Sequence, residues 1–125
     1  MTTALARLIK EAPDIARAVM QVEGVTRRPA FGTPLGLFKI DGSNYETSEP
    51  PAWFYSAVAG KLAEWLIERG CRIRPVVGKR DRVLVEMWSD GKFVRDVRGP
   101  TFLDALVEAA IVVGREGSDE ADTTR

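Results

Sequence analysis

The sequence predicts an α+β domain: a helix, a three-stranded antiparallel meander and a second helix forming a two-layer sandwich, with an additional N-terminal helical segment. Three observations predict it. Apolar residues recur at helical spacing in three stretches, Leu5-Leu8-Ile9-Ala12, Phe54-Val58-Leu62-Leu66 and Leu103-Leu106-Val107-Ala110. Between the second and third lie three short runs with strand-like alternation, 72–77, 82–88 and 93–97. Turn signals separate those runs, Gly78-Lys79-Arg80-Asp81 and Ser89-Asp90-Gly91-Lys92. A chain of 125 residues that is 45% apolar is enough for one core. The expected domain spans 1–114, divided into a helical arm (1–24), an irregular or hairpin stretch (25–47) and the helix–sheet–helix core (48–114).

The arm carries its stripe from Leu5 to Val22, interrupted by Pro13, which either kinks one helix or starts a second. Gly24 supplies a stop. In the next stretch Pro29, Gly32, Pro34 and Gly36 break regular structure. Leu37-Phe38-Lys39-Ile40 before Asp41-Gly42 suggests a hairpin returning through Asn44-Tyr45-Glu46, with an irregular arm across the core as the alternative. Thr47-Ser48-Glu49-Pro50-Pro51 reads as a capped helix start, and that helix should stop at Gly70. Pro75 argues for an edge position of the first meander strand. Leu84 and Trp88 suggest that the second sheet face is partly covered, because an exposed pair would form an apolar patch. The N-terminal helix either covers that face or joins the other two helices. Thr101 with Asp104 resembles a capping box, Gly114 should end the last helix, and 115–125 reads as a disordered polar tail.

The chemistry available is limited. The chain has no histidine, and Cys71 is its one cysteine. That excludes Ser-His-Asp and Cys-His catalysis, a disulfide within the chain, imidazole metal ligation and thiolate clusters. Cys71 follows a helix C-terminus, the pole that does not favour a thiolate, so it reads as structural. Glu64, Glu68 and Glu86 are the carboxylate candidates, but no motif pairs them. Gly32-Thr33-Pro34-Leu35-Gly36 lacks the Gly-Lys-Ser/Thr ending of a phosphate loop. The expectation is a protein that is not an enzyme and has no cofactor or metal. Without a long apolar run or a basic-then-apolar leader, the expected location is cytoplasmic, with no membrane partner.

Net charge is zero, yet nine basic and four acidic residues fall between Arg69 and Arg98, an excess of five. Such an asymmetry can guide binding. Trp53-Phe54-Tyr55 cannot all face one core, since each helical step turns about 100°. The candidate partner-binding residues are therefore Arg72, Arg74, Lys79, Arg80 and Arg82, with Trp53 and Tyr55.

Two families share features with this chain. The helix–three strands–helix order resembles the double-stranded-RNA-binding domain. That family places lysines at the start of its last helix, whereas this chain has Gly99-Pro100-Thr101-Phe102-Leu103-Asp104. Residues 45–113 resemble the phage ABA sandwich domain. The shared features are the Tyr45-Glu46-Thr47-Ser48 lead, the Trp-bearing helix ending Glu68-Arg69-Gly70, Trp88 in the second strand and the Ala105-Leu106-Val107-Glu108-Ala109-Ala110 helix. The resemblance implies a small non-catalytic phage or prophage protein acting in the host cytoplasm. It would bind a host protein or complex, for instance as an inhibitor of CRISPR–Cas defence. The alternative is a nucleic-acid-binding module using the same basic segment.

Overall fold

Local sequence signals set most element boundaries in the computed structural model, which describes residues 2–74, 83–89 and 91–123. The order is α1 (Thr2–Glu11), α2 (Pro13–Val19), β1 (Val25–Arg28), β2 (Leu37–Ile40), α3 (Ala52–Glu68), β3 (Arg72–Arg74), β4 (Val83–Ser89), β5 (Lys92–Gly99) and α4 (Phe102–Thr123). The fold is α+β, with a two-stranded antiparallel sheet, a three-stranded antiparallel sheet ordered β3-β4-β5, and an N-terminal helical segment.

Pro13 starts a second helix. It occupies the first turn of α2, where its missing amide costs no hydrogen bond, and Ala12 breaks from helical geometry at φ −143°. The arm ends at Val19 rather than at Gly24. Gly24, at φ 88°, instead turns the chain into β1.

The stretch after it is a hairpin of a different pairing from the expected one. β2 pairs along its length with β1, from Val25 opposite Ile40 to Arg28 opposite Leu37. The return past Asp41-Gly42 contributes one bridge, in which Phe38 and Thr47 exchange amide–carbonyl bonds of 2.8 Å.

α3 begins at Ala52 with no side-chain cap. Thr47 lies too far upstream to reach the first helical amides. Its hydroxyl instead accepts from the Glu49 amide at 3.3 Å. The other end of α3 is a Schellman stop: Gly70 at φ 87° donates to the Ile67 carbonyl, and the Cys71 amide donates to Leu66, both at 3.0 Å. At α4 the Asp104 amide donates to the Thr101 hydroxyl at 3.2 Å. The Asp104 carboxylate accepts from that hydroxyl, and so does not reach the N-cap amide as the longer Glu of a capping box would.

α4 runs on to Thr123, past the stop expected at Gly114. Gly114 is a close-approach glycine inside this helix. A Cβ there would stand 3.1 Å from Ile15 Cδ1, where α4 passes α2.

The core gathers Leu5 and Leu8 of α1, Phe54, Val58, Leu62 and Leu66 of α3, Val85 of β4 and the inner stripe of α4. Phe38 joins it edge-on to Phe54, at 4.9 Å between ring centroids. Ala105, Ala109 and Ala110 are fully buried because α4 packs against α1, α3, β4 and β5 at once. The arm therefore joins the other helices. Arg7 pairs with Glu11 and with Glu108 of α4, and Arg115 of α4 reaches Glu11 at 2.5 Å. The Arg7 guanidinium holds the Glu11 carboxyl below its ordinary value. Arg28 does the same to Glu46 across the small sheet, at 2.6 Å.

Candidate functional site

Antiparallel pairing places directly opposite residues on one face and alternates faces along each strand. Ile73, Val85 and Val97 stand opposite one another and face the helices. Arg72, Glu86 and Asp96 form the neighbouring row on the other face, with Arg74 and Arg98 both opposite Leu84. α3 and α4 pack on the sheet, whereas α1 and α2 pack on the helices. The outer face was expected to be partly covered. Among the described residues it lies open, and its aromatic is sheltered by neighbouring side chains instead.

Trp88 is the centre of this face. The Arg72 guanidinium lies over its ring at 4.2 Å from the centroid. Phe93, its register partner, meets it edge-on at 5.8 Å, and a bulge shifts the register just beyond, between Met87 and Trp88. The indole Nε1 donates to Glu86 at 3.3 Å, and the other Glu86 oxygen accepts from Arg74 at 3.4 Å. Arg98 pairs with Asp96 at 3.5 Å. A second stack adjoins in sequence: Arg69 lies 3.7 Å over the Trp65 ring and donates to the Trp65 carbonyl. Gly70 links the two stacks, since a Cβ there would meet the Trp88 carbonyl at 3.4 Å. The assembly is an aromatic–guanidinium surface with carboxylates interleaved.

The expected site residues separate into three groups. Arg72 and Arg74 sit side by side on this face. Lys79, Arg80 and Arg82, with Pro75 and the turn at 78–81, lie outside the described residues. Trp53 is 47% exposed, but α3 separates it from Arg72 by roughly 20 Å at 1.5 Å per residue. Tyr55 is not a surface anchor. It is buried, ring edge against Phe54, and its hydroxyl donates to Glu49 at 3.1 Å. Helical geometry turns its position inward while Trp53 faces out. Phe93, Asp96 and Arg98 were missed as site residues; the tight turn at 89–92 could have placed Phe93 opposite Trp88, whereas Asp96 and Arg98 reach this face only through the bulge.

Of the carboxylates considered for catalysis, Glu64 and Glu68 are exposed on α3, and Glu86 is engaged by Trp88 and Arg74. Cys71 is buried at the α3–β3 corner. Among the described residues no helix is long and apolar enough to cross a membrane. Comparison with family models, with curated proteins and with solved structures finds no match.

Proposed function

We propose that the chain is a non-catalytic protein-binding module that docks a partner protein on the open face of its three-stranded sheet. One observation carries this reading: Trp88, Phe93 and the stacked Arg72 are gathered on a face that α1 and α2 leave uncovered. Trp and Arg are the residue types most enriched among energetic anchors of protein interfaces. Stacking already orders the Arg72 side chain, which lowers the entropy lost on binding. The resemblance to the phage ABA sandwich domain supports the narrower form, a phage-encoded adaptor or inhibitor docking on a host protein complex such as a defence machine.

The nucleic-acid reading is weaker on the same face. Glu86 and Asp96 stand within salt-bridge reach of Arg74 and Arg98, so a phosphate backbone laid there would meet two carboxylates. A protein surface of mixed charge fits that pattern better.

The test uses the full chain as bait in a pull-down from host lysate, alongside the double variant Arg72→Glu/Phe93→Ser. Both positions are exposed, so the variant should fold. A specific partner retained by the wild type should be lost, with at least roughly a tenfold drop in affinity. Equal retention would remove this face from consideration. A low-salt gel shift that retains DNA or RNA, with affinity falling steeply as salt rises, would favour the nucleic-acid reading.

A further inference from the structure

β5 is the last strand of its sheet, ordered β3-β4-β5. In an antiparallel ladder, alternate residues turn their amide and carbonyl away from the neighbouring strand. On β5 those groups point to a free edge: among the described residues no backbone hydrogen bond joins 92–99 to anything but β4. Proteins commonly shorten or cover such edges, and this one is the longest strand of the fold. The helices leave its middle open. Arg95 stands opposite Met87, which is buried, yet Arg95 is exposed.

The two sides of the edge differ in chemistry. Lys92, opposite Ser89, shares the helix side with Arg95. Both are exposed, and among the described residues neither has an ion-pair partner. On the outer side Phe93 is half-exposed beside Trp88, and Arg98 and Asp96 neutralise each other. A strand laid along β5 alternates its side chains between these sides. One set would meet two cations and the other an aromatic ring, so acidic and apolar residues in alternation satisfy both. A second copy of β5 fits less well. The two-fold antiparallel registers of fullest overlap set Arg95 opposite Arg95, or Asp96 opposite Asp96, and like charges directly opposite are destabilising.

We propose that this edge takes an extended segment of the partner protein as a fourth strand, one in which acidic and apolar residues alternate. Backbone bonds then supply affinity, and the two rows of side chains supply specificity. The proposal rests on the docking reading and narrows it. Phe93 belongs to both surfaces, whereas Lys92 and Arg95 belong to the edge alone.

Calorimetric titration of the full chain with a capped Glu-Val-Glu-Val-Glu-Val peptide tests it. The peptide should bind with a Kd on the order of 100 µM, and Lys in place of Glu should weaken binding at least about tenfold. Alternate amides of a strand point to opposite sides. N-methylating one alternate set should therefore abolish binding, and N-methylating the other should leave it. Lys92→Glu/Arg95→Glu, at two exposed positions, should weaken the unmethylated peptide at least about tenfold. No binding up to about 1 mM overturns the proposal, as does equal binding of the Lys peptide. Methylation that acts alike in both sets overturns strand addition. A pull-down separates this proposal from the docking reading: a partner lost by Arg72→Glu/Phe93→Ser but retained by Lys92→Glu/Arg95→Glu leaves the face standing and overturns the edge.

Discussion

Gly36 and Gly42 have nearly the same backbone conformation, φ 89° and 87°, but different surroundings. Nothing lies within 4 Å of a Cβ built on Gly42, whereas one on Gly36 would stand 2.4 Å from the Arg28 carbonyl oxygen and 3.1 Å from its carbon. A side chain at either site carries the left-handed penalty of about 1–2 kcal/mol. At Gly36 it must also push β1 and β2 apart, since backbone cannot yield as a flexible side chain does. Gly36→Ala should therefore destabilise clearly more than Gly42→Ala, with a difference of at least about 1 kcal/mol in urea denaturation at unchanged m-value. Equal losses would mean that the crossing at Arg28 relaxes freely. The sequence marked Gly36 as a breaker and Gly42 as part of a turn but could not rank their tolerance of a side chain, because that depends on the neighbouring strand that Gly36 approaches.

At the scale of elements, legibility followed the range of the interactions involved. The stop at Gly70 and the Ser89–Lys92 turn depend on residues a few positions apart, and each is visible in the chain, while Pro13 marked a break but left a kink and a new start both open. β1 was not visible. Val25-Thr26-Arg27-Arg28 has one strongly apolar residue, and its partner Leu37–Ile40 lies across a loop rich in glycine and proline. Gly114 misled for a related reason: it reads as a stop, yet contact with Ile15, a hundred positions away, makes it an interior residue of α4. In the candidate site, alternation placed Arg72 and Arg74 on one strand and the Ser89–Lys92 turn sets Phe93 opposite Trp88, but the bulge that brings Asp96 opposite Glu86 is a register shift no spacing rule reports. The cap of α4 was legible and is testable. Thr101→Ala removes the acceptor of the Asp104 amide and should cost about 1 kcal/mol, whereas Thr101→Ser keeps the oxygen and should cost well under half of that. Matching losses for the two variants, read by thermal melts, would show that the hydroxyl does not stabilise the helix start.

For the whole molecule, charge balance and the missing histidine act together on stability. With no histidine, no side chain has an ordinary pKa between about 5 and 8, so folding should exchange few protons there. Two carboxyls do bind protons differently on folding. Glu11 is held below its ordinary 4.5 chiefly by the hydrogen bond from Arg7, and Glu46 likewise by Arg28. A depressed carboxyl stabilises the fold above its unfolded pKa, and that contribution is lost as pH falls through the folded value. Both groups are solvent-accessible, so the contribution is modest and is screened by salt. The melting temperature should be level from about pH 8 to pH 5 and should decline below about 4.5. Glu11→Gln/Glu46→Gln should start lower on the plateau and fall less steeply in acid, and added salt should narrow its gap from the wild type. The two pairs sit at different places, Arg7–Glu11 beside the α1–α4 contact and Arg28–Glu46 on the small sheet, so their losses should add. A wild-type decline that begins between about pH 7 and 6, or an acid slope the double variant leaves unchanged, would assign the pH response to other groups.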